Sequence, residues 1–279
     1  MARDEELKSS VDYSKGQKTA AHRVLVELVN IFSEYEEDIR VVGGWVPDLM
    51  FPDEGHIGSV DVDILINHLT LKDEGYQNMS RILGKNGYKE HPDKYFSFVK
   101  TVDVENIKYD MDVDILAGMY GGTQPRKISQ HVQGIKALKA SGGNFAFDFP
   151  AQKVNIEAKR PDGAIDTASV SVVAVVPYII MKTAALGRGK AKDAYDIYFV
   201  IKHYTGGVKR LASEFQIIKD KNIVKNMKEK LSGKFATIDH AGPRDVADFM
   251  DLLDEEEEQL VKRDAYEQIQ ALIQEIDRV

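Results

Sequence analysis

The spacing of hydrophobic and polar positions changes once along this 279-residue chain. Up to about residue 175, short alternating runs predict β-strands separated by helices. Beyond that point, apolar residues recur every three to four positions and predict helices only. Pro177 stands at the change and suits the first turn of a helix. The pattern predicts an α+β protein: a mixed β-sheet domain flanked by helices at residues 1–175, followed by an all-helical domain at residues 176–279.

The same patterns predict individual elements. The segment Gly118–Gly143, rich in Gly, Lys and Gln, is predicted to be irregular, and Pro161–Gly163 supplies turn residues for a hairpin. The predicted strands are Ile39–Val42, Val60–Ile66, Tyr95–Val102, Asn106–Leu116, Val154–Lys159 and Ser169–Val175. The predicted helices are Tyr13–Glu37, Trp45–Phe51, Leu71–Asn86, Pro177–Leu186, Ala191–Tyr204, Val208–Ile218, Ile223–Leu231, Arg244–Leu253 and Glu255–Arg278.

The pentapeptide DVDIL occurs twice, at Asp61–Leu65 and at Asp112–Leu116. Side chains alternate across a strand, so the two aspartates of each copy share one face. Like charges on one face repel, and aspartate is a poor strand former. A strand that keeps both acids therefore needs water, basic neighbours or a bound cation. The simpler alternative is an exposed edge strand with solvated acids.

Neither a calcium loop nor an internal duplication accounts for the repeat. An EF-hand loop counted from Asp110 needs Gly at its sixth position and Glu at its twelfth, but Ile115 and Gly121 stand there. The sequence around the two copies does not repeat, which argues against a duplication. Carboxylates on neighbouring strands suit Mg²⁺ or Mn²⁺, and two such ions can hold both oxygens of a phosphoryl displacement.

Composition narrows the class of protein. The chain has no cysteine, which excludes disulfides and thiolate metal sites and favours a cytoplasmic location. The start, MARDEELKSS, lacks the apolar region of a secretion signal, and no apolar run predicts a membrane span. The net charge of −8 argues against broad nucleic-acid binding, although a local basic groove is compatible with it. The basic segment Arg126–Lys139 is either one wall of such a groove or a solvated loop and helix.

A glycine pair precedes the first DVDIL. Gly43, Gly44 and Trp45 lie between a predicted strand and a predicted helix, within VVGGWVPDL. Glycines at such a turn let backbone N–H groups approach phosphate oxygens, but they also occur there for steric reasons alone. The spacing is neither that of a dinucleotide-binding motif nor that of a P-loop.

Together, GGWVPDL and GSVDVDIL resemble the signature of the DNA polymerase β-like nucleotidyltransferase superfamily. More narrowly, the chain is similar to the AbiEii-type nucleotidyltransferases, several of which are toxins of toxin–antitoxin systems. A helical motif of that family, with a lysine, a basic stretch and K/R-D-x-x-D-[IL], is matched by KTAALGRGKAKDAYDIYFV. The motifs cover Gly43 to Phe199. There are two departures: sixteen residues separate Gly44 from Asp61, and His56-Ile57-Gly58 stands where the family often has an arginine.

The resemblance implies a nucleotidyltransferase fold and Mg²⁺- or Mn²⁺-dependent transfer of NMP from an NTP, ATP among them, to an acceptor hydroxyl with release of pyrophosphate. Asp61 and Asp63 would bind the metal ions. Asp114 would be the third carboxylate, a metal ligand and proton acceptor, with Asp112 as the alternative. The residues implied in nucleotide binding are Gly43, Gly44, Trp45, Lys182, Arg188, Asp193 and Asp196.

Several alternatives remain open on the sequence alone. The first alternative has RNA such as tRNA, or a protein, as the acceptor, and no membrane partner. Whether an antitoxin-like protein partner exists is left open by the sequence. Aminoglycoside and lincosamide nucleotidyltransferases also carry the GGW form, and the resemblance to these antibiotic-modifying enzymes favours a small-molecule acceptor instead. A catalytically silent nucleotide-binding or interaction protein is the alternative of another class. Lys182 alone is also compatible with a side chain that extends to solvent, and Asp193 with an ordinary helix start.

Overall fold

The structure is a computed structural model that describes residues 7–71, 73–118, 129–132, 135–160 and 163–279. Over these residues the chain is a mixed α/β protein. Within that described part, no helix is both long and apolar enough to cross a membrane. The strands are β1 Ile39–Val42, β2 Val62–Ile66, β3 Lys89–Glu90, β4 Ser97–Val104, β5 Ile107–Gly118, β6 Ser129–Val132, β7 Ile135–Ala140, β8 Gln152–Lys159 and β9 Ile165–Val172. The helices are α1 Lys15–Ile31, α2 Val46–Met50, α3 Asp73–Lys85, α4 Val175–Ala185, α5 Ala191–Lys202, α6 Gly207–Glu214, α7 Asn222–Lys234, α8 Ala241–Met250 and α9 Glu255–Arg278.

The strands form one mixed sheet in the order β3-β4-β5-β2-β1-β9-β8, and β7 joins β5 with β6 beyond it. Strand β2 runs parallel to β5 and antiparallel to β1, which places it in the interior of the sheet. Strand β5 pairs with β4 over most of its length and with β7 at its last three residues. Both strands that carry DVDIL are therefore central, and the alternative of an exposed edge strand is wrong.

Helix α1 covers one face of this sheet, in contact with β4, β5, β8 and β9. It begins at a capping box in which the Ser14 hydroxyl accepts from the Gln17 backbone N–H. Its buried stripe includes Ala20, Val24 and Leu28, which recur every four residues as an amphipathic helix requires. The helix ends at Ile31, earlier than the predicted Glu37, because a 3₁₀ segment with a kink at Tyr35 follows.

The chain forms two compact units. The sheet unit consists of Ser14–Met50 and Gly58–Tyr178. The helical unit consists of Ile179–Val279, the described residues up to Tyr13, and the short segment Phe51–Ile57. The division between them falls inside α4, which begins two residues before Pro177 and keeps that proline in its first turn.

One prediction about the sheet unit was wrong. The segment Gly118–Gly143 was predicted to be irregular, but it contains β6 and β7, which pair antiparallel. Strand β7 also runs parallel to the end of β5, with Leu138 beside Leu116. This pairing joins residues more than twenty positions apart, so no pattern within a short stretch of sequence could predict it. Residues 119–128, which include the predicted basic residues Arg126 and Lys127, lie outside the described residues, as do Pro161 and Asp162 of the predicted turn.

Candidate functional site

The two DVDIL copies pair with each other in register. Strand β2 runs parallel to β5, with Val62 beside Val113, Asp63 beside Asp114 and Ile64 beside Ile115. The apolar members are buried: Ile64 is 0% exposed and Ile115 is 1% exposed. Parallel neighbours lie about 4.8 Å apart, so Asp63 and Asp114 present their carboxylates side by side on the same face.

The glycine turn lies directly against Asp63. Val42, the last residue of β1, pairs with Asp63, and Gly43 follows with a φ of +71°. A Cβ atom at Gly43 would overlap the Asp63 carboxylate oxygen Oδ2. Gly43 therefore serves two purposes: it adopts a backbone conformation that L side chains rarely adopt, and it leaves room for a carboxylate.

Asp61 is held from two sides just before β2 begins. The Trp45 indole N–H donates to the Asp61 backbone carbonyl at 2.8 Å, and the Ser59 hydroxyl donates to the Asp61 carboxylate. Trp45 is itself buried, with its ring 5.6 Å from that of His22. The tryptophan of the GGW motif thus supports the backbone of an acidic residue from inside the sheet unit.

Asp114 is half-buried, and one of its carboxylate oxygens is fully enclosed. Its Oδ1 atom is buried without a hydrogen-bond partner among the described residues, and so is the hydroxyl of Ser97, its neighbour on β4. Burial raises the pKa of Asp114. The nearby Asp61 carboxylate raises it further, and the pKa lies above the usual range for an aspartate. A buried carboxylate oxygen without a hydrogen-bond partner is costly unless something binds it.

The other acids of β5 have partners of their own. The Lys94 ammonium group contacts Asp112 Oδ2 at 2.6 Å, and the Thr101 hydroxyl donates to Asp110 Oδ1 at 2.6 Å. Asp110 is exposed on the surface. Of the two candidates for the third carboxylate, Asp114 has the unsatisfied oxygen and Asp112 has a salt bridge.

The acids of the two strands fit a divalent cation in their chemistry. Among the residues that the structure describes, no three His, Cys, Asp or Glu side chains are already arranged as a metal site. The donors are nevertheless carboxylate oxygens, which Mg²⁺ and Mn²⁺ prefer. The unpaired Asp114 oxygen and its proximity to Asp61 are what a cation would compensate. Asp61, Asp63 and Asp114 are the residues that would hold it.

A second cluster of charged side chains lies within the helical unit. We call it the Lys182 cluster, and it comprises His56, Lys182, Arg188, Lys192, Asp193 and Asp196. The Lys182 ammonium group bridges two carboxylates, 2.9 Å from Asp193 Oδ1 and 2.7 Å from Asp196 Oδ2. Arg188 contacts Asp193 Oδ2 at 3.1 Å, and Lys192 contacts Asp196 Oδ1 at 2.9 Å. The alternative in which the Lys182 side chain extends into solvent is wrong, because that side chain is only 11% exposed.

Both carboxylates of the Lys182 cluster are ionised. Burial alone would raise the pKa of Asp196, but Lys182, Lys192 and His56 outweigh it and hold that pKa far below the usual range. At Asp193, burial is outweighed by Lys182 and Arg188, so its pKa is lowered as well. Two carboxylates face three permanent cations, which leaves one unit of positive charge. Arg188, at 56% exposed, carries the most accessible part of it.

His56 is a member of this cluster that the motifs did not identify. Its Nε2 atom lies 2.9 Å from Asp196 Oδ1, and both side chains are fully buried. His56 is 140 positions from Asp196, so neither helical spacing nor strand alternation could link them. The only sequence signal is its position, where the resembling family often has an arginine.

Comparisons with family models, with curated proteins and with solved structures found no match to this chain.

Proposed function

We propose that this chain is a nucleotidyltransferase that depends on a divalent cation and moves NMP from an NTP to an acceptor hydroxyl. The observation that carries the proposal is the in-register pairing of the two DVDIL strands. It brings Asp63 beside Asp114 on one face of the sheet, next to a glycine turn that leaves space for the Asp63 carboxylate. Paired acids at a central position cost stability in a sheet, so their presence calls for a chemical reason.

The proposed reaction displaces pyrophosphate from the α-phosphate by an acceptor oxygen. Bound Mg²⁺ or Mn²⁺ would neutralise phosphate charge and orient the reacting oxygens. Asp61 and Asp63 would hold the cation, fixed by Ser59 and Trp45 at Asp61 and by Gly43 beside Asp63. Asp114 would complete the set and accept the proton of the attacking hydroxyl. Catalysis of this type rests on positioning and charge neutralisation rather than on a covalent intermediate.

In the helical unit, the Lys182 cluster supplies the charge that suits a triphosphate. Its excess positive charge, with Lys182 held between two ionised carboxylates, makes an ordered cationic group. An ammonium ion is a common partner for phosphate oxygens. We assign Lys182 and Arg188 to triphosphate binding, and Asp193 and Asp196 to holding them.

The first test measures transfer directly. The protein is incubated with each NTP labelled at the α-phosphate, with Mg²⁺, and with itself, tRNA or a panel of antibiotics as acceptor. We expect label on one acceptor class, and a fall of roughly 10²–10³-fold for Asp114→Asn, the size of the loss when one preorganised group that stabilises the transition state is removed. Labelled tRNA or protein would favour the AbiEii-like function, and a labelled antibiotic the small-molecule one.

Asp110→Asn is the matched control, because Asp110 lies on the same strand and face but is exposed and bonded to Thr101. It should transfer label at a rate close to the native rate. Equal loss in both variants would remove the special role of Asp114. If the native protein neither binds an NTP nor transfers label to any acceptor, it is not a nucleotidyltransferase.

A further inference from the structure

His56 is seated in the helical unit by a seven-residue segment, Phe51–Ile57. Its ring stacks on Tyr195, with centroids 5.3 Å apart and planes at 17°, and meets the edge of Phe199 at 4.7 Å. Glu54 of the same segment contacts His203 at 2.9 Å, and the Phe51 ring packs against Phe199. The imidazole is thus held at a defined place against α5.

The direction of the hydrogen bond follows from the charges. Burial lowers the pKa of His56 to about 4, so the ring is neutral near pH 7. Asp196 is ionised and only accepts, so Nε2 carries the proton and donates to Oδ1. Lys192 also donates to the Asp196 carboxylate, at 2.9 Å and 3.1 Å to its two oxygens. His56 and Lys192 therefore both donate to Oδ1, and Lys192 also contacts Oδ2.

Asp196 also contacts Lys182, whose ammonium nitrogen lies 2.7 Å from Oδ2. We propose that His56 is a positioning residue for Lys182 and acts through Asp196 as a neutral hydrogen-bond donor. A neutral donor orients the carboxylate without adding a charge that would attract it away from Lys182. Its consequence for nucleotide binding rests on the function proposed above, in which Lys182 binds triphosphate oxygens.

The His56 ring would also be buried if it served only for packing. Two variants separate packing from the positioning of Lys182. His56→Gln keeps a donor that corresponds to Nε2 but removes the aromatic ring. His56→Phe keeps a ring against Tyr195 and Phe199 but removes the donor. Affinity is measured by titration with Mg²⁺ and analogues of the four NTPs that carry a methylene group between the α- and β-phosphates, which prevents transfer.

Positioning predicts that His56→Gln binds the preferred analogue within about threefold of the native protein. His56→Phe should bind it about tenfold more weakly, the size of a lost hydrogen bond to a charged group. Thermal unfolding of both variants is the control that tests whether they are folded at the assay temperature. Native-like binding by His56→Phe, or equal loss in the two variants, would overturn the proposal and leave His56 as a packing residue.

A second readout does not depend on nucleotide. Trace acetylation followed by mass spectrometry compares the labelling rate of Lys182 with that of the exposed Lys209 in the same sample. We expect slow labelling of Lys182 in the native protein and in His56→Gln, and faster labelling in His56→Phe. Unchanged labelling in His56→Phe would overturn the proposal. If no analogue binds the native protein, the proposed function fails and this labelling alone decides the role of His56.

Discussion

At the scale of single residues, Gly43 shows how closely a backbone position and a carboxylate depend on each other. The turn after β1 needs a positive φ, and the space where a side chain would stand is taken by Asp63. Gly163 also has a positive φ, of +87°, but among the described residues no atom beyond its chain neighbours lies within 4 Å of where its Cβ would be. A comparison of the two glycines therefore separates the free-energy cost of a left-handed backbone conformation from the cost of an overlap with the Asp63 carboxylate.

Gly43→Ala should therefore destabilise the protein more than Gly163→Ala. The latter should cost about 1–2 kcal/mol, the penalty for a left-handed residue with a Cβ atom, and should retain transfer. Gly43→Ala adds the displacement of Asp63, so we expect a further loss of roughly 1 kcal/mol or more and loss of transfer. Urea unfolding and the labelled-NTP assay measure the two effects. Equal stability losses in the two variants would mean that Asp63 moves aside without cost.

His56 also makes stability depend on pH. Its pKa is about 4 when folded and about 6.5 when unfolded. Between these values the unfolded chain binds the additional proton, so the free energy of unfolding rises with pH. The full stability is present above pH 6.5. It should fall by about 3 kcal/mol as the pH drops to 4, since one pKa unit corresponds to about 1.4 kcal/mol.

Urea unfolding of the native protein and His56→Gln across pH 4–7 isolates this contribution, and the variant should show a shallower slope. Burial also lowers the pKa of His22, but His22 is present in both proteins, so its contribution to the pH dependence cancels in the comparison. Asp196 does not interfere, because a carboxylate with a lowered pKa loses its contribution only below its unfolded value. Parallel curves for the two proteins would contradict the burial of His56 as a neutral ring.

At the scale of elements, the pairing of β2 with β5 combines a favourable face with an unfavourable one. Buried pairs such as Ile64 and Ile115 stabilise the two strands from the core side. On the other face the same register brings Asp63 beside Asp114, and like charges opposite each other destabilise a sheet. The buried apolar face fixes the register of the two strands. The pairing of Asp63 with Asp114 on the other face follows from that register.

This opposition predicts that Asp114→Asn is more stable than the native protein in the absence of divalent cations. Removing a half-buried charge that Asp63 and Asp61 repel should contribute about 0.5–2 kcal/mol, the common gain of a single stabilising substitution. Mg²⁺ should raise the melting temperature of the native protein by mass action and have less effect on the variant. Calorimetry with and without EDTA measures both. A destabilised variant would mean that the charge on Asp114 supports the fold.

At the scale of the whole molecule, much of the architecture could be predicted because short-range patterns in the sequence determine the helices and strands. Alternating residues identified the core strands of the sheet, with β1 at its observed bounds, and helical spacing identified the last helix, α9, from Glu255 to Arg278. The acidic faces of β2 and β5 could also be predicted, since alternation decides which side chains share a face. That the two copies stand beside each other in register was not available from alternation, which is unchanged by a slip of two residues.

The features that escaped prediction depend on contacts between distant positions. Strand β7 exists through its pairing with β5 and β6 rather than through a clear alternating pattern. His56 looked like a loop residue because its partners, Tyr195, Asp196 and Phe199, are all on α5. The different surroundings of Asp112 and Asp114 were also not predictable, since Lys94, which pairs with Asp112, lies 18 positions away, before β4.

The membership of Phe51–Ile57 in the helical unit has a practical consequence for dividing the gene. A fragment that starts at Ile179 would lack these seven residues and expose the surfaces of Tyr195 and Phe199 that His56 covers. The complementary fragment would carry a loop whose buried histidine has lost its partners. A self-contained helical fragment therefore requires both the heptapeptide and the described residues up to Tyr13 to be grafted onto it, or both halves to be produced together.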